Sequence, residues 1–281
     1  MYTTAGDEIF SDTQVASLRM VIASSVLLPF AIRGLRRIKS LKESVLLAVV
    51  GTCGNFLPSF MFTYAETGIS SGYAGMLNSF TPIFALLIGF AVFQQRLTRV
   101  QMFGVGIGTV GVVLLMLAGK NLSISGDWGH ILSIVFATLC YAISLNTIKH
   151  TLQKFKSFEI TSLSFLIILF PSLFIAWDQG VVEEIRTNEH APEGLMYLVV
   201  LSVLGTAFAV IMFNKLVTIS SVLFASSVTY LIPVFAVVIG LYFGEQINTN
   251  QILSMMVVLS GVFVANYLPR LLSKTEGKRR G

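Results

Sequence analysis

Residues 80–90 read FTPIFALLIGF, and residues 231–241 read LIPVFAVVIGL. Pro82, Phe84, Ala85, Ile88 and Gly89 return as Pro233, Phe235, Ala236, Ile239 and Gly240, each 151 positions later. The repetition extends outward. Gly54, Met61 and Phe62 return at the same spacing as Gly205, Met212 and Phe213. Ile69 and Ser71 match Ile219 and Ser221, and Gly111 matches Gly261, at a spacing of 150. VASL at 15–18 resembles ITSL at 160–163, at a spacing of 145. Self-similarity at a long fixed period decides architecture before any local feature does.

What is repeated is a membrane segment. The chain has 281 residues, of which 54% are hydrophobic and 12% charged. A soluble domain carries about 25% charged residues, so this chain lacks the polar surface to sit in water. A bilayer-spanning helix needs about 20 mostly apolar residues. Nine such runs are present: 13–32, 44–64, 71–93, 98–118, 128–149, 157–177, 194–217, 220–243 and 249–269. The expected fold class is an all-α polytopic membrane protein. The acidic stretch 178–194 is read as a surface loop and the tail as disordered.

The net charge of +5 does not point to nucleic acid, because the basic residues sit in short loops between apolar runs. There they mark the cytoplasmic side. Arg33 to Lys42, Arg96 and Arg99, Lys149 to Lys156, Lys215, and Arg270 onward fall in alternate loops. The intervening loops hold Lys120 and Arg186. The C-terminus is therefore expected in the cytoplasm, in a multi-pass protein of the cell membrane. The loop after span 13–32 is basic and its counterpart after span 157–177 is acidic. The two copies thus run in opposite directions. Inverted repeats of this kind build secondary transporters, with a substrate site near the bilayer midplane.

Pairing the copies leaves span 128–149 without a partner. The repeat spacing puts its twin upstream of Met1. The expected organisation is a first repeat over 1–119 with four visible spans and its first helix missing. A second repeat covers 127–270 with five spans, and a basic cytoplasmic tail covers 271–281.

Catalytic signatures are weak. GIGTVG at 106–111 matches G-x-G-x-x-G literally. That motif requires a strand and a soluble βαβ unit, whereas here it lies inside an apolar run. Gly104 and Gly108 instead form a small-xxx-small pair suited to close helix approach. Cys53 and Cys140 lie in separate spans and read as packing residues. His130, His150 and His190 lie at span ends or in loops. No enzyme activity, cofactor or metal site is expected.

The stretches VASLRMVIA, FTYAETGISSGYAGMLNSFTPIFALLIGF, ISSVLFASSVTYLIPVFAVVIGLYFGEQI and QILSMMVVLSGVFVA resemble, in this order, the EamA branch of the drug/metabolite transporter superfamily. The resemblance implies ten helices in two inverted five-helix bundles, nine of them visible here. It further implies export or exchange of small metabolites, amino-acid-like compounds among them. With acids scarce inside the spans, the expected substrate is a small neutral or zwitterionic metabolite, moved by alternating access between the inverted copies. Glu66 departs from the apolar residue usual there, and Gln95 from an acid that Glu245 retains. A polytopic scaffold or sensor subunit, or a truncated inactive transporter, stands as the alternative. The expected partners are a small-molecule metabolite and the lipid bilayer, with a homodimer left open and no nucleic acid.

Helical spacing nominates the site. Gly51, Asn55, Ser59 and Phe62 share one face of span 44–64, at steps of three or four residues. Span 194–217 offers Thr206 and Phe213, and span 128–149 offers Tyr141 and Ser144. Pro82 and Pro233 should break their helices, since proline lacks an N–H and blocks the carbonyl four residues earlier. This nominates Asn78 and Tyr230 beside the breaks. Substrate binding is expected at Asn55, Ser59, Phe62, Asn78, Tyr141, Ser144, Thr206, Phe213 and Tyr230. Arg19 is a charge inside a span, read as a helix-holding group or a carboxylate ligand. Glu66 is either solvated or a proton-coupling carboxylate.

Overall fold

The computed structural model describes residues 9–69, 71–118, 128–235 and 249–269. Glu245, the tail 271–281, and Ala236, Ile239 and Gly240 of the second copy lie outside the described residues. The chain is an all-α polytopic membrane protein. Seven helices are long and apolar enough to cross a bilayer. Two shorter apolar helices, Arg99–Leu115 and Val222–Phe235, fall on two further candidate spans.

Helix α1 spans Asp12–Gly34 and starts at a reciprocal cap. The Gln14 amide donates to the Ser11 hydroxyl, and the Ser11 amide donates to Gln14 Oε1 at 3.0 Å. Two orphan helix-end donors are satisfied this way. Helix α2, Leu41–Glu66, is capped by Ser40. Then come α3 Ser71–Asn78, α4 Thr81–Ala91, α5 Arg99–Ala118, α6 Trp128–Thr151 and α7 Ser157–Asp178. Gly180, with φ of 67°, turns the chain into a short α8, Val181–Thr187. Helix α9 covers Ala191–Ile219, α10 covers Val222–Ser227 and α11 covers Thr249–Asn266.

The expected loop at 178–194 is therefore largely structured. Ile9 and Phe10, just before α1, are buried with Val181, Ala191 and Leu198. Asn188 of the α8–α9 turn donates to the Ile9 carbonyl. Acidic composition hid a short helix whose first residue, Val181, is covered by a distant segment.

Two compact units form. The first comprises Met1–Thr67 and Ile143–Ser220, the second Gly68–Ala142 and Ser221–Gly281. These are not the two sequence repeats: each unit takes helices from both. In the first unit, α1 packs antiparallel on its repeat mate α7. Near one end Gln14 Nε2 donates to the Gln179 carbonyl at 3.0 Å, and near the other the Phe30 and Phe158 rings meet edge-on at 4.8 Å. Arg37 pairs with Glu159 and Lys154 with Glu43.

The first unit's centre is built from repeat mates. Met20, Ala23, Phe165, Ile168 and Ala207 form one buried cluster, with Phe56 packed against it. Phe165 and Ile168 are Met20 and Ala23 carried forward by 145, and Ala207 is Phe56 carried forward by 151. A local pseudo-two-fold therefore passes through this cluster. One hydrogen bond ties α9 to α7, from Asn214 Nδ2 to Thr161 Oγ1 at 2.9 Å. Interhelical bonds of this kind contribute about 0.6–2 kcal/mol in membranes. Asn214→Ala should cost about 1 kcal/mol, read as a small drop in melting temperature in detergent. The effect is limited because Thr161 still donates to the Ser157 carbonyl.

In the second unit, α5 and α11 run antiparallel at backbone contact. A Cβ on Gly111 would lie 2.6 Å from the Val258 nitrogen, and one on Gly261 would lie 2.5 Å from the Gly108 Cα. Gly104 faces the Ala265 backbone as closely. A Cβ on Gly106 meets nothing within 4 Å. Gly104, Gly108 and Gly111 thus share one helix face, as small-xxx-small packing requires, and Gly106 lies off it.

Candidate functional site

In the first unit, helices α2 and α9 each contain a wide π turn, at matched places. In α2 it spans Thr52–Phe56, and the Leu57 N–H reaches back five residues to the Thr52 carbonyl. Pro58 follows at once. Its ring has no N–H and crowds the carbonyl of Gly54, so the turn widens ahead of it. In α9 the π turn spans Leu201–Phe208, with Ala209 N–H on the Leu204 carbonyl. Thr206 Oγ1 donates to Leu201 O, also five residues back, at 3.4 Å. No proline acts here, and the side-chain hydroxyl fills the opened position instead. Single π turns inside α-helices occur frequently at functional sites.

Asn55 and Thr206, mates at 151 positions, sit in these two turns. Both are buried, at 8% and 2% exposure. Arg19 Nε donates to Thr206 Oγ1 at 2.7 Å. The mate of Arg19 at 145 positions is Ser164. Its hydroxyl is fully buried and makes no hydrogen bond among the described residues. Its carbonyl lies 2.7 Å from where a Gly51 Cβ would be, one turn before Asn55. The pseudo-two-fold therefore relates a charged pair, Arg19 and Thr206, to an uncharged one, Ser164 and Asn55.

Other expected residues lie close by on the same elements. Ser59 follows Asn55 by one turn, with its hydroxyl buried and without a partner among the described residues. Ser144 Oγ sits over the π turn, 2.5 Å from where a Gly54 Cβ would be. Phe62 and Phe213 are half-buried on α2 and α9. Glu66 is exposed at the end of α2. Ser164 and Ser24, whose buried hydroxyl has no partner among the described residues, were not among the residues nominated from sequence. Extending the VASL–ITSL match by one residue would have reached Ser164.

The second unit holds Asn78, Tyr141 and Tyr230. The chain breaks between α3 and α4, where Ser79 and Phe80 bond three residues back to Met76 and Leu77. Pro82 then sits in the first turn of α4, where its missing N–H costs nothing. The second copy breaks at a 3₁₀ turn, Val228–Tyr230, before helix resumes at 231–235 with Pro233. The carbonyls freed by the prolines find hydroxyls. Asn78 O accepts from Thr81 at 2.6 Å, and Thr229 O accepts from Ser79 at 3.3 Å. Tyr230 is fully buried. Its hydroxyl shares a hydrogen bond with Thr109 at 3.2 Å and donates to the Val105 carbonyl at 3.3 Å. Tyr141 is half-buried on α6. A separate pocket between α5 and α11, lined by Leu114, Leu117, Leu253 and Val257 among others, holds none of the expected residues.

The family profile described as the EamA-like transporter family matches residues 2–117 and 128–267. The uncharacterized transporter YdfC of Bacillus subtilis (strain 168) is 24% identical over 263 residues, covering 92% of this chain and 83% of that protein. The "Probable terminal-alkyne amino-acid exporter" of Streptantibioticus cattleyicolor is 21% identical over 286 residues, covering 99% and 87%. A solved crystal structure superposes with a TM-score of 0.68 at 15% identity, covering 94% of this chain and 90% of that one. The last likeness shows the fold.

Proposed function

Because this chain belongs to the EamA-like transporter family, we propose that it exports or exchanges a small neutral or zwitterionic, amino-acid-like metabolite by alternating access. The observation that carries this reading is the polar centre of the first unit. Asn55, Ser59, Ser144 and Thr206 are buried on the apolar helices α2, α6 and α9, and Phe62 and Phe213 flank them along α2 and α9. Small polar groups with aromatic neighbours are what a small ligand's site requires. Acids are absent from this set, which disfavours metal ions and multiply charged cations. The relative described as an amino-acid exporter is consistent with such a ligand. In the same reading the basic loops face the cytoplasm and the protein sits in the cell membrane.

The test is counterflow in proteoliposomes with purified protein and radiolabelled L-amino acids. Exchange of at least one of them above protein-free liposomes is the expected result. No exchange of any panel member would overturn the proposal.

A further inference from the structure

Arg19 is a charged group in a span whose partner set is incomplete. Its Nε is taken by Thr206, and no acidic side chain pairs with it among the described residues. A guanidinium has five N–H donors, so four remain for another group. The partner also shows how far inside a span the contact lies. Thr206 is 15 residues from the start of α9 at Ala191 and 13 from its end at Ile219. At 1.5 Å per residue that is about 22 Å and 20 Å, in a helix longer than the roughly 30 Å hydrocarbon core, so Thr206 lies well inside the span. Arg19 itself lies about 10 Å from the start of α1 at Asp12. An arginine serving as an interface anchor turns its head toward the headgroups. Here the head is held on a residue that is 2% exposed and more than ten residues from either end of its helix.

We infer that Arg19 is the specificity-determining residue of the transport site and receives a single carboxylate of the substrate. This rests on the transport reading above. Arginine's planar fork matches a carboxylate through two parallel N–H donors, and binding would supply the missing counter-charge. The pseudo-two-fold adds direction. The equivalent position carries Ser164 and Asn55, whose groups are neutral and whose Ser164 hydroxyl has no partner among the described residues. The centre therefore has one cationic pole and one neutral pole. That pattern suits a molecule bearing one anionic group and a polar remainder, and it does not suit a dianion. Thr206 orients the guanidinium, and its hydroxyl is itself anchored on Leu201 O.

The experiment compares each transported L-amino acid with its C-terminal amide, in the same proteoliposomes, for wild type, Arg19→Gln and Arg19→Lys. Wild type should prefer the acid by about 10-fold or more in half-saturation, the usual size for losing a charge-assisted bond. Arg19→Gln should abolish that preference, and Arg19→Lys should keep part of it. If wild type moves amino acids but takes the amides equally well, the carboxylate role is overturned while the transport reading stands. The carboxylate role is also overturned if Arg19→Gln lowers acid and amide transport by one common factor, the result of a purely structural role. The wild-type comparison decides even if Arg19→Gln fails to fold. If no panel member is moved by wild type, the transport reading itself has failed and this inference falls with it.

Discussion

Gly261→Leu should prevent the second unit from assembling, with a loss of about 3 kcal/mol or more and little monodisperse protein recovered in detergent. Overpacked side chains cost about 1–3 kcal/mol when neighbours can shift. Here the neighbour is the Gly108 backbone, with the Gly104 carbonyl beyond it, and backbone in a helix cannot step aside. The contact is close to self-symmetric. Gly108 against Gly261 maps, at 150 positions, onto Val258 against Gly111, and that second contact is also present. One substitution thus disturbs a seam built twice from the same repeat. Gly106→Leu on the same helix is the control, since a Cβ there meets nothing within 4 Å. It should leave melting temperature and yield near wild type. Equal damage from both would show that glycine here serves helix flexibility and not close approach.

Tyr230→Ala should be nearly as damaging, by about 3–5 kcal/mol, the usual cost of deleting a buried aromatic ring. The ring rests on Gly108, 3.0 Å from where a Cβ there would be, and packs among Met76, Leu115 and Val258. Tyr230→Phe keeps the ring and loses the hydroxyl's bonds to Thr109 and Val105. Thr109 keeps the Val105 carbonyl, so the cost should be about 1 kcal/mol. Thermal unfolding of the three proteins checks the order. A Tyr230→Phe protein of unchanged stability but altered substrate preference would instead make the hydroxyl a ligand contact.

Much of this was legible in one dimension. Apolar runs about 20 residues long report membrane spans because a bilayer leaves no other partner for an uninterrupted apolar helix. The 145- to 151-residue spacing exposed the duplication, since each copy must rebuild the same packing. Pro82 and Pro233 marked the breaks because the missing N–H is a property of the residue itself. Gly104 and Gly108 were readable as packing glycines because a helix face repeats every three or four residues.

Other features exist only once distant segments meet. Composition at 178–194 could not disclose α8, because the residues clustered with Val181, Ile9 and Phe10, come from the far end of the chain. Nothing near Tyr230 in sequence announces Thr109, 121 residues away. The interleaving of the repeats into two compact units is likewise a tertiary fact: α1 buries its apolar face on its own mate α7, and periodicity names a face without naming its partner. Arg19 shows the division most sharply. Sequence alone determined that a charge lies within a span. The fold decided its company, because the packing of α9 on α1 brings Thr206 to the guanidinium from 187 residues along the chain.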